Sequence, residues 1–473
     1  MVSMAFAMAM LLPFGVSLWL QDGAQSAYDE GIFITLLCGF VLWMATRRQR
    51  RELKIRDGFL LVVVIWASLP AFATLPLMFY LPHLSFTDAY FEAMSGLTTT
   101  GSTTLSGLDL LPPSINLWRS ELVWLGGMGI IVLVVAILPL LGVGGRQMYK
   151  AETPGPMKDT KLTPRITETA KGLWLVYSGI TLACILAYYG AGMTWLDAAV
   201  HAFSTMGLGG FSSHDASFGY FNSPTIEAVS MLFMLIAGMN FATHFLVLRQ
   251  RSFLPYVHDP EVRMFVAVVL LSCVGIALYL WRMGVYPDFL VALRYAAFNT
   301  VSIATTTGFA NTDYNSWPIF APLWMLFLSS FATSSGSTGG GIKMVRAELL
   351  YKQVYRELIR LMHPNASVPM KLGGQIVPNA IVYAVLAFMF IYIASLVGLT
   401  LILTASGLDA ITAFSAVVAS LNNTGPGLNQ VGPATTYAVL TDFQTWVCSF
   451  AMLLGRLELF TLLVVFTPAF WRK

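Results

Sequence analysis

Four short segments centred on glycine could surround a single axis with backbone carbonyls. They are Thr98–Ser102 (TTTGS), Leu208–Phe211 (LGGF), Thr306–Phe309 (TTGF) and Asn423–Pro426 (NTGP), recurring at intervals of roughly one hundred residues. Aligned on Gly101, Gly210, Gly308 and Gly425, the two preceding residues of each offer backbone carbonyls: Thr99 and Thr100, Leu208 and Gly209, Thr306 and Thr307, Asn423 and Thr424. Glycine admits dihedrals closed to other residues, so consecutive carbonyls can point the same way. Four such loops around one axis can replace the water shell of a monovalent cation with neutral dipoles. A hard divalent ion would want carboxylates, and the four segments contain no acidic residue. A single loop of this kind reads as an ordinary turn. Four in register, each preceded by a short helix, read as one pathway built by four similar units.

The composition points to membrane helices as the elements that carry these loops. Of 473 residues, 56% are hydrophobic and only 11% charged, where a soluble domain carries about a quarter charged residues. No continuous basic face suggests nucleic acid. A spanning helix needs about 20 apolar residues, and the candidate runs are Val2–Leu20, Ile32–Thr46, Gly58–Tyr80, Leu117–Leu141, Leu173–Tyr189, Thr225–Leu248, Met264–Trp281, Trp317–Phe331, Ala380–Leu403 and Tyr437–Phe466. The first lacks a basic leader and reads as a retained helix, not a signal peptide. The last is longer than one perpendicular crossing requires, so it must tilt, bend or leave the membrane. Lys and Arg concentrate in Arg47–Arg56, Arg146–Lys171, Arg249–Arg263 and Lys343–Lys371, whereas residues 21–29, 81–118, 191–224 and 405–441 have none. The positive-inside rule places the basic set and both termini in the cytoplasm and the glycine segments toward the outside.

The repeat extends beyond the glycines. Asp88, Asp197 and Asp409 open short amphipathic stretches leading into the first, second and fourth segments, and Ser95, Ser204 and Ser302 each stand six residues before their glycine. A stretch such as Asp88–Gly96 is too short to span and reads as a re-entrant half-helix with an aspartate cap. Because lipid-exposed irregular backbone is not tolerated, the loop after it must face protein or water. The expected fold is an all-α polytopic membrane protein, with an N-terminal helix pair and four helix–pore-loop–helix repeats around a central pore. Its units are residues 1–57, 58–150, 151–262, 263–371 and 372–473.

Two further features stand out. Ser334–Gly341 (SSGSTGGG) resembles a phosphate loop only superficially, since Ile342 separates Gly341 from Lys343 and no Ser or Thr follows. Its glycines and serines break a helix, giving a flexible intramembrane loop beneath the carbonyl segments, with Lys343 snorkelling at the cytoplasmic edge. Arg456 lies in an otherwise apolar run, where a charge costs about 2.5–3.5 kcal/mol and faces a pore or a partner. Glu458, two residues on, does not share its helix face. His201, His214 and His244 lack metal-ligand spacing, and His244 reads as a buried, hydrogen-bonded side chain. Glu92, Glu121, Glu227 and Asp442 read as pore-mouth or helix-end charges, an acidic mouth that would concentrate cations. Cys38, Cys184, Cys273 and Cys448 read as buried packing residues. An enzyme would need a convergent nucleophile, base or metal set, and the chain has no HExxH, no GxSxG with triad partners and no intramembrane Asp pair.

The chain resembles the Trk/Ktr/HKT superfamily of potassium transporters over essentially its whole length. The resemblance is carried by HAFSTMGLGGFSSHDAS (His201–Ser217), SSGSTGGGIK (Ser334–Lys343), LMHPNASV (Leu361–Val368), SLNNTGPG (Ser420–Gly427) and LLGRLELFTLLVVFTPAFWR (Leu453–Arg472). It implies potassium as the transported ion, bound by the eight carbonyl residues above, with no covalent or nucleotide cofactor in this chain. It also implies a gate formed by Ser334, Ser335, Gly336, Ser337, Thr338, Gly339, Gly340 and Gly341, with Lys343 assisting and Arg456 projecting into the pore. Further implications are a homodimer with one pore per protomer, a peripheral cytosolic nucleotide-binding regulatory subunit, and residence among the lipids of the bacterial inner membrane. One departure is the second loop, where Leu208-Gly209-Gly210 supplies no side-chain hydroxyl or amide. The competing reading is an ion-coupled secondary transporter with midplane sites on broken helices.

Overall fold

The structure, a computed structural model, describes residues 1–48, 55–132 and 166–472. Most of the basic segment Arg146–Lys171, part of Arg47–Arg56 and the end of the run to Leu141 lie outside the described residues. An N-terminal pair, Val2–Leu20 (offset at Met10) and Gln25–Thr46, precedes four units of one design. Each unit has a long helix, a half-helix, an extended glycine segment and a second helix. The long helices are Ile55–Tyr80, Ile166–Gly190, Pro260–Arg282 and Asn379–Ala405, and the half-helices are Phe86–Leu97, Trp195–Gly207, Phe289–Ala304 and Ala410–Leu421. A two-residue hairpin, Lys371–Leu372 with Gln375–Ile376, turns through Gly373 and Gly374.

A half-helix such as Phe86–Leu97 is 12 residues long, or about 18 Å, far short of the ~30 Å hydrocarbon layer. Its tolerance at depth comes from burial in protein, since every residue from Ala89 to Leu97 is buried. The aspartates do not all cap as expected. Ser85 and Thr194 are the N-caps of the first two half-helices, each accepting the backbone N–H of Asp88 or Asp197, and each donating its hydroxyl to that aspartate's carboxylate at 2.7 Å. The shorter Ser and Thr side chains reach the free N–H two to three residues ahead, and the aspartate one turn in complements the helix dipole. Of the three expected aspartates, Asp409 is itself the cap, accepting from Thr412 N–H.

The second helices depart most from simple spans. Thr225–Leu248 is broken into Pro224–Ala237 and Phe241–Gln250 with a 94° bend, and the long final run into Asp442–Arg456 and Phe460–Phe466 with a 109° bend. The apolar run ending at Phe331 yields only the 12-residue helix Phe320–Phe331. An extended loop completes the path, and the amphipathic helix Met344–Met362 leads away. Sharp breaks of this kind follow glycine and inserted hydrogen bonds; here Gly238 and Asn240 stand at the first elbow. Cys184, Cys273 and Cys448 are buried as expected, but Cys38 is exposed on Gln25–Thr46, on a helix with few neighbours to cover it.

Candidate functional site

The four glycine segments meet. In each, two residues take left-handed dihedrals: Thr99 and Gly101, Leu208 and Gly210, Thr306 and Gly308, Asn423 and Gly425. The residue before each glycine returns its N–H to the half-helix, from Thr100 to Ser95, Gly209 to Ser204, Thr307 to Ser302 and Thr424 to Ala419, at 2.8–3.0 Å. The serine position recognised in the sequence is thus the backbone acceptor that fixes each segment. With the donors turned back, the segments present acceptors, beside the C-terminal, electronegative ends of four half-helices.

The glycines also set the order of the units. A β-carbon on Gly101 would run into the carbonyl oxygen of Gly209, one on Gly210 into that of Thr307, and one on Gly308 into that of Thr424; one on Gly425 would press on that of Thr100. Each glycine therefore backs onto the carbonyl preceding the next glycine, and the sequence 1–2–3–4–1 closes into a ring. Only glycine permits both the positive φ and the approach. Above the ring lies a vestibule of ≈ 200 Å³ to which Gly101, Gly210, Gly308 and Gly425 all contribute. The Oγ1 atoms of Thr99 and Thr424 and Oδ1 of Asn423 are buried without a hydrogen-bond partner. Leu208, by contrast, turns its side chain into the hydrophobic core.

Below the ring lies the loop containing Ser334–Gly341. Gly340 N–H donates to Thr306 Oγ1 at 3.0 Å, Thr333 Oγ1 donates to the Gly340 carbonyl at 2.8 Å, and Thr338 Oγ1 donates to the Met206 carbonyl at 2.9 Å. A β-carbon on Gly340 would overlap the Asn422 carbonyl, so the loop packs against the base of the third and fourth segments. The space between this loop, Asn423 and Arg456 is ≈ 20 Å³, room for about one water. Arg456 donates to the carbonyls of Thr338 and Gly126, both at 2.9 Å, joining the loop to the first unit's second helix. Glu458 meets Arg346 at 2.6 Å. It lies past the end of Asp442–Arg456, where the positive φ of Glu458 and Leu459 turns the chain into the 109° bend, so it stands outside the helix and not on another of its faces. Lys343 does not snorkel to solvent: it is 7% exposed and turns its Nζ back onto the Gly339 carbonyl, because a buried ammonium must find an acceptor within the loop.

Several residues of this site had no reading in the sequence. The Oε1 atom of buried Glu261 accepts from Ser335 N–H at 2.7 Å and from Val345 N–H at 3.3 Å, so one carboxylate oxygen clasps both ends of the loop. Its place in Asp259-Pro260-Glu261 reads only as a helix start. Arg119 was open to the argument applied to Arg456, a charge within an apolar run. Glu92 is not a mouth charge but the buried half of an ion pair with Arg119 at 2.7 Å, whereas Glu227 stands in the first turn of Pro224–Ala237, a helix-end charge as expected, and pairs with Arg294 at 2.7 Å. Glu121 is buried within the helix Pro113–Val132. Arg119 also donates to the Ser212 carbonyl at 3.1 Å and lies over the Phe211 ring, while Glu92 accepts Thr104 N–H at 3.0 Å. The pair thereby braces the first two segments. Arg119→Met is expected to cost about 3–5 kcal/mol by leaving a buried carboxylate unpaired; a chemical-denaturation series in detergent showing under ~1 kcal/mol would contradict this.

Among the described residues, the charged side chains lining the vestibule are Arg119, His214 and Asp215, so the mouth is mixed and not simply acidic. His214 bridges Asp109 at 2.5 Å and Asp197 at 3.3 Å and stacks on Tyr220. Partial burial alone would lower its pKa, but the two carboxylates outweigh that and hold the imidazole above its ordinary value. His201 hydrogen-bonds the Asp197 carbonyl and Ser212 Oγ.

Comparison with known proteins agrees with this architecture. The crystal structure of the potassium transporter TrkH from Vibrio parahaemolyticus superposes with a TM-score of 0.91 at 45% identity, covering 100% of this chain and 97% of that one. The Trk system potassium uptake protein TrkH of Salmonella typhimurium is 50% identical over 469 residues, 99% of this chain and 97% of the relative. Its Escherichia coli K12 counterpart is 48% identical over the same coverage. The family model described as TrkH, cation transport protein, matches residues 24–473. With the match spanning all four units and the ring they close, the chain belongs to the TrkH family of cation transport proteins.

Proposed function

We propose that this chain takes up potassium across the bacterial inner membrane through a channel-like path. The ion would shed its water against the carbonyls of Thr99, Thr100, Leu208, Gly209, Thr306, Thr307, Asn423 and Thr424. The observation that carries the reading is the closed order of the four glycines, each backed by the carbonyl of the next unit. The names of the relatives, potassium uptake proteins of the Trk system, supply the ion. An inside-negative potential is worth about 2.3 kcal/mol per charge for each 100 mV, enough to drive accumulation without a nucleotide site in this chain.

Ser334–Gly341, Lys343 and Arg456 form the gate in this reading, shut where the passage narrows to the room of about one water. A cytosolic nucleotide-binding subunit of the Trk type would act on it from the basic side, where Met344–Met362 leaves the loop. Two protomers would pair, each with its own pore, with both termini in the cytoplasm. The two sharply broken helices are the feature that a coupled transporter would share.

The test is tracer flux in liposomes holding the purified chain, comparing potassium, rubidium and sodium. Potassium and rubidium should enter in preference to sodium and continue after the proton gradient is collapsed. Gly425→Ser should change the ion preference at unchanged expression, since its φ is +100°. Uptake that stops with the proton or sodium gradient would favour the coupled transporter instead.

A further inference from the structure

Behind the elbow that holds the loop lies a second site. The 94° bend at Gly238–Asn240 carries the loop on one face: Ser334 N–H donates to the Gly238 carbonyl at 3.0 Å, and Phe241 N–H donates to the Gly336 carbonyl at 3.1 Å. On the other face a groove of ≈ 730 Å³ opens between Ile166–Gly190 and the two arms of the bent helix. Its walls include Ile180, Phe233, Val247 and Leu248, and a β-carbon on Gly179 would meet nothing within 4 Å. Its floor is His244. The Nε2–H of that ring donates across the elbow to the Ile236 carbonyl at 2.9 Å, and Nδ1 accepts from the Tyr256 hydroxyl at 2.6 Å. With those polar atoms satisfied, the groove offers its interior only apolar surface. One end is different: Arg251 and Ser252 line it, and Arg251 is exposed.

We infer that this groove binds one anionic phospholipid, with an acyl chain along Gly179 and Val247 and the phosphate on Arg251 and Ser252. The pairing of an apolar trough with an exposed guanidinium at its rim selects an anionic amphiphile over a zwitterionic one, whose own headgroup ammonium is repelled by the arginine. A membrane-surface arginine contributes attraction to anionic headgroups, and planar guanidinium suits phosphate oxygens. A chain seated there rests on His244, which ties the two arms of the elbow together, so occupancy holds the bend that holds the loop. This coupling rests on the conduction reading above; the binding itself does not.

The experiment delipidates the full-length protein, reconstitutes it in nanodiscs of phosphatidylcholine with or without phosphatidylglycerol, and counts retained lipid by native mass spectrometry. Wild type should retain phosphatidylglycerol about tenfold over phosphatidylcholine, equal to ~1.4 kcal/mol. Arg251→Gln should abolish the preference, and Gly179→Trp should abolish retention of both lipids. Gly275→Trp, whose β-carbon also meets open space on a different helix, serves as the matched control and should behave as wild type. Equal retention in all four proteins, or cross-linking of a second copy through Leu248→Cys, would overturn the site. Rubidium uptake in vesicles of the same compositions tests the coupling: dependence on phosphatidylglycerol in wild type but not in Gly179→Trp supports it. Lipid retention that follows the variants while uptake ignores composition would overturn the coupling and leave the binding standing.

Discussion

Gly308→Ala should lower rubidium uptake at least about tenfold at equal protein level, and raise the share of sodium in what remains. Gly308 has φ +90°, where an L-residue costs roughly 1–2 kcal/mol. The larger effect is positional, because the new methyl would overlap the Thr424 carbonyl oxygen and push a proposed ligand of the ion from its place in the ring. Gly107→Ala separates the two causes: its φ is +72°, yet a β-carbon there meets nothing within 4 Å. That variant should carry the strain and keep uptake. Near-normal flux and ion preference in Gly308→Ala would mean that the ring does not select the ion.

Arg456→Ala should act in the opposite direction and raise uptake about tenfold in the absence of any partner protein. The guanidinium joins the Thr338 carbonyl of the loop to the Gly126 carbonyl of the first unit, and lies near the Trp66 ring at 5.9 Å. Removing it releases the loop from one wall and removes a fixed positive charge from the passage of a cation. Arg456→Lys distinguishes these contributions, because lysine keeps the charge but lacks the planar fork that reaches two carbonyls at once. It should fall between the wild type and alanine. Unchanged or reduced tracer uptake in Arg456→Ala, at equal expression, would count against the gate.

Much of this architecture is legible in the sequence alone. The four glycine segments, the half-helices before them and the Ser95, Ser204 and Ser302 positions stand at matching offsets. Each reports a local requirement: a positive φ, an apolar surface too short to span, a return hydrogen bond to a residue five or six back. The glycine-rich loop was readable for the same reason, since Gly339–Gly341 cannot continue a helix. The caps are nearly legible: Asp88 and Asp197 mark the helix starts, but the neighbouring Ser85 and Thr194 hold the capping geometry.

Local residues suffice to place the four loops and the half-helices before them, because those depend on dihedrals and hydropathy within a dozen residues. Which loop backs onto which, that Glu92 meets Arg119, that Glu261 clasps both ends of the loop, and that Arg456 reaches Gly126, 330 residues away, are set by long-range packing. That packing also turned Lys343 inward and bent two apparent spans. These are contests among partners brought together by folding. Inside a membrane a buried charge or a free carbonyl must find whichever complementary group packing places within reach, and no local pattern along the chain records which group that is.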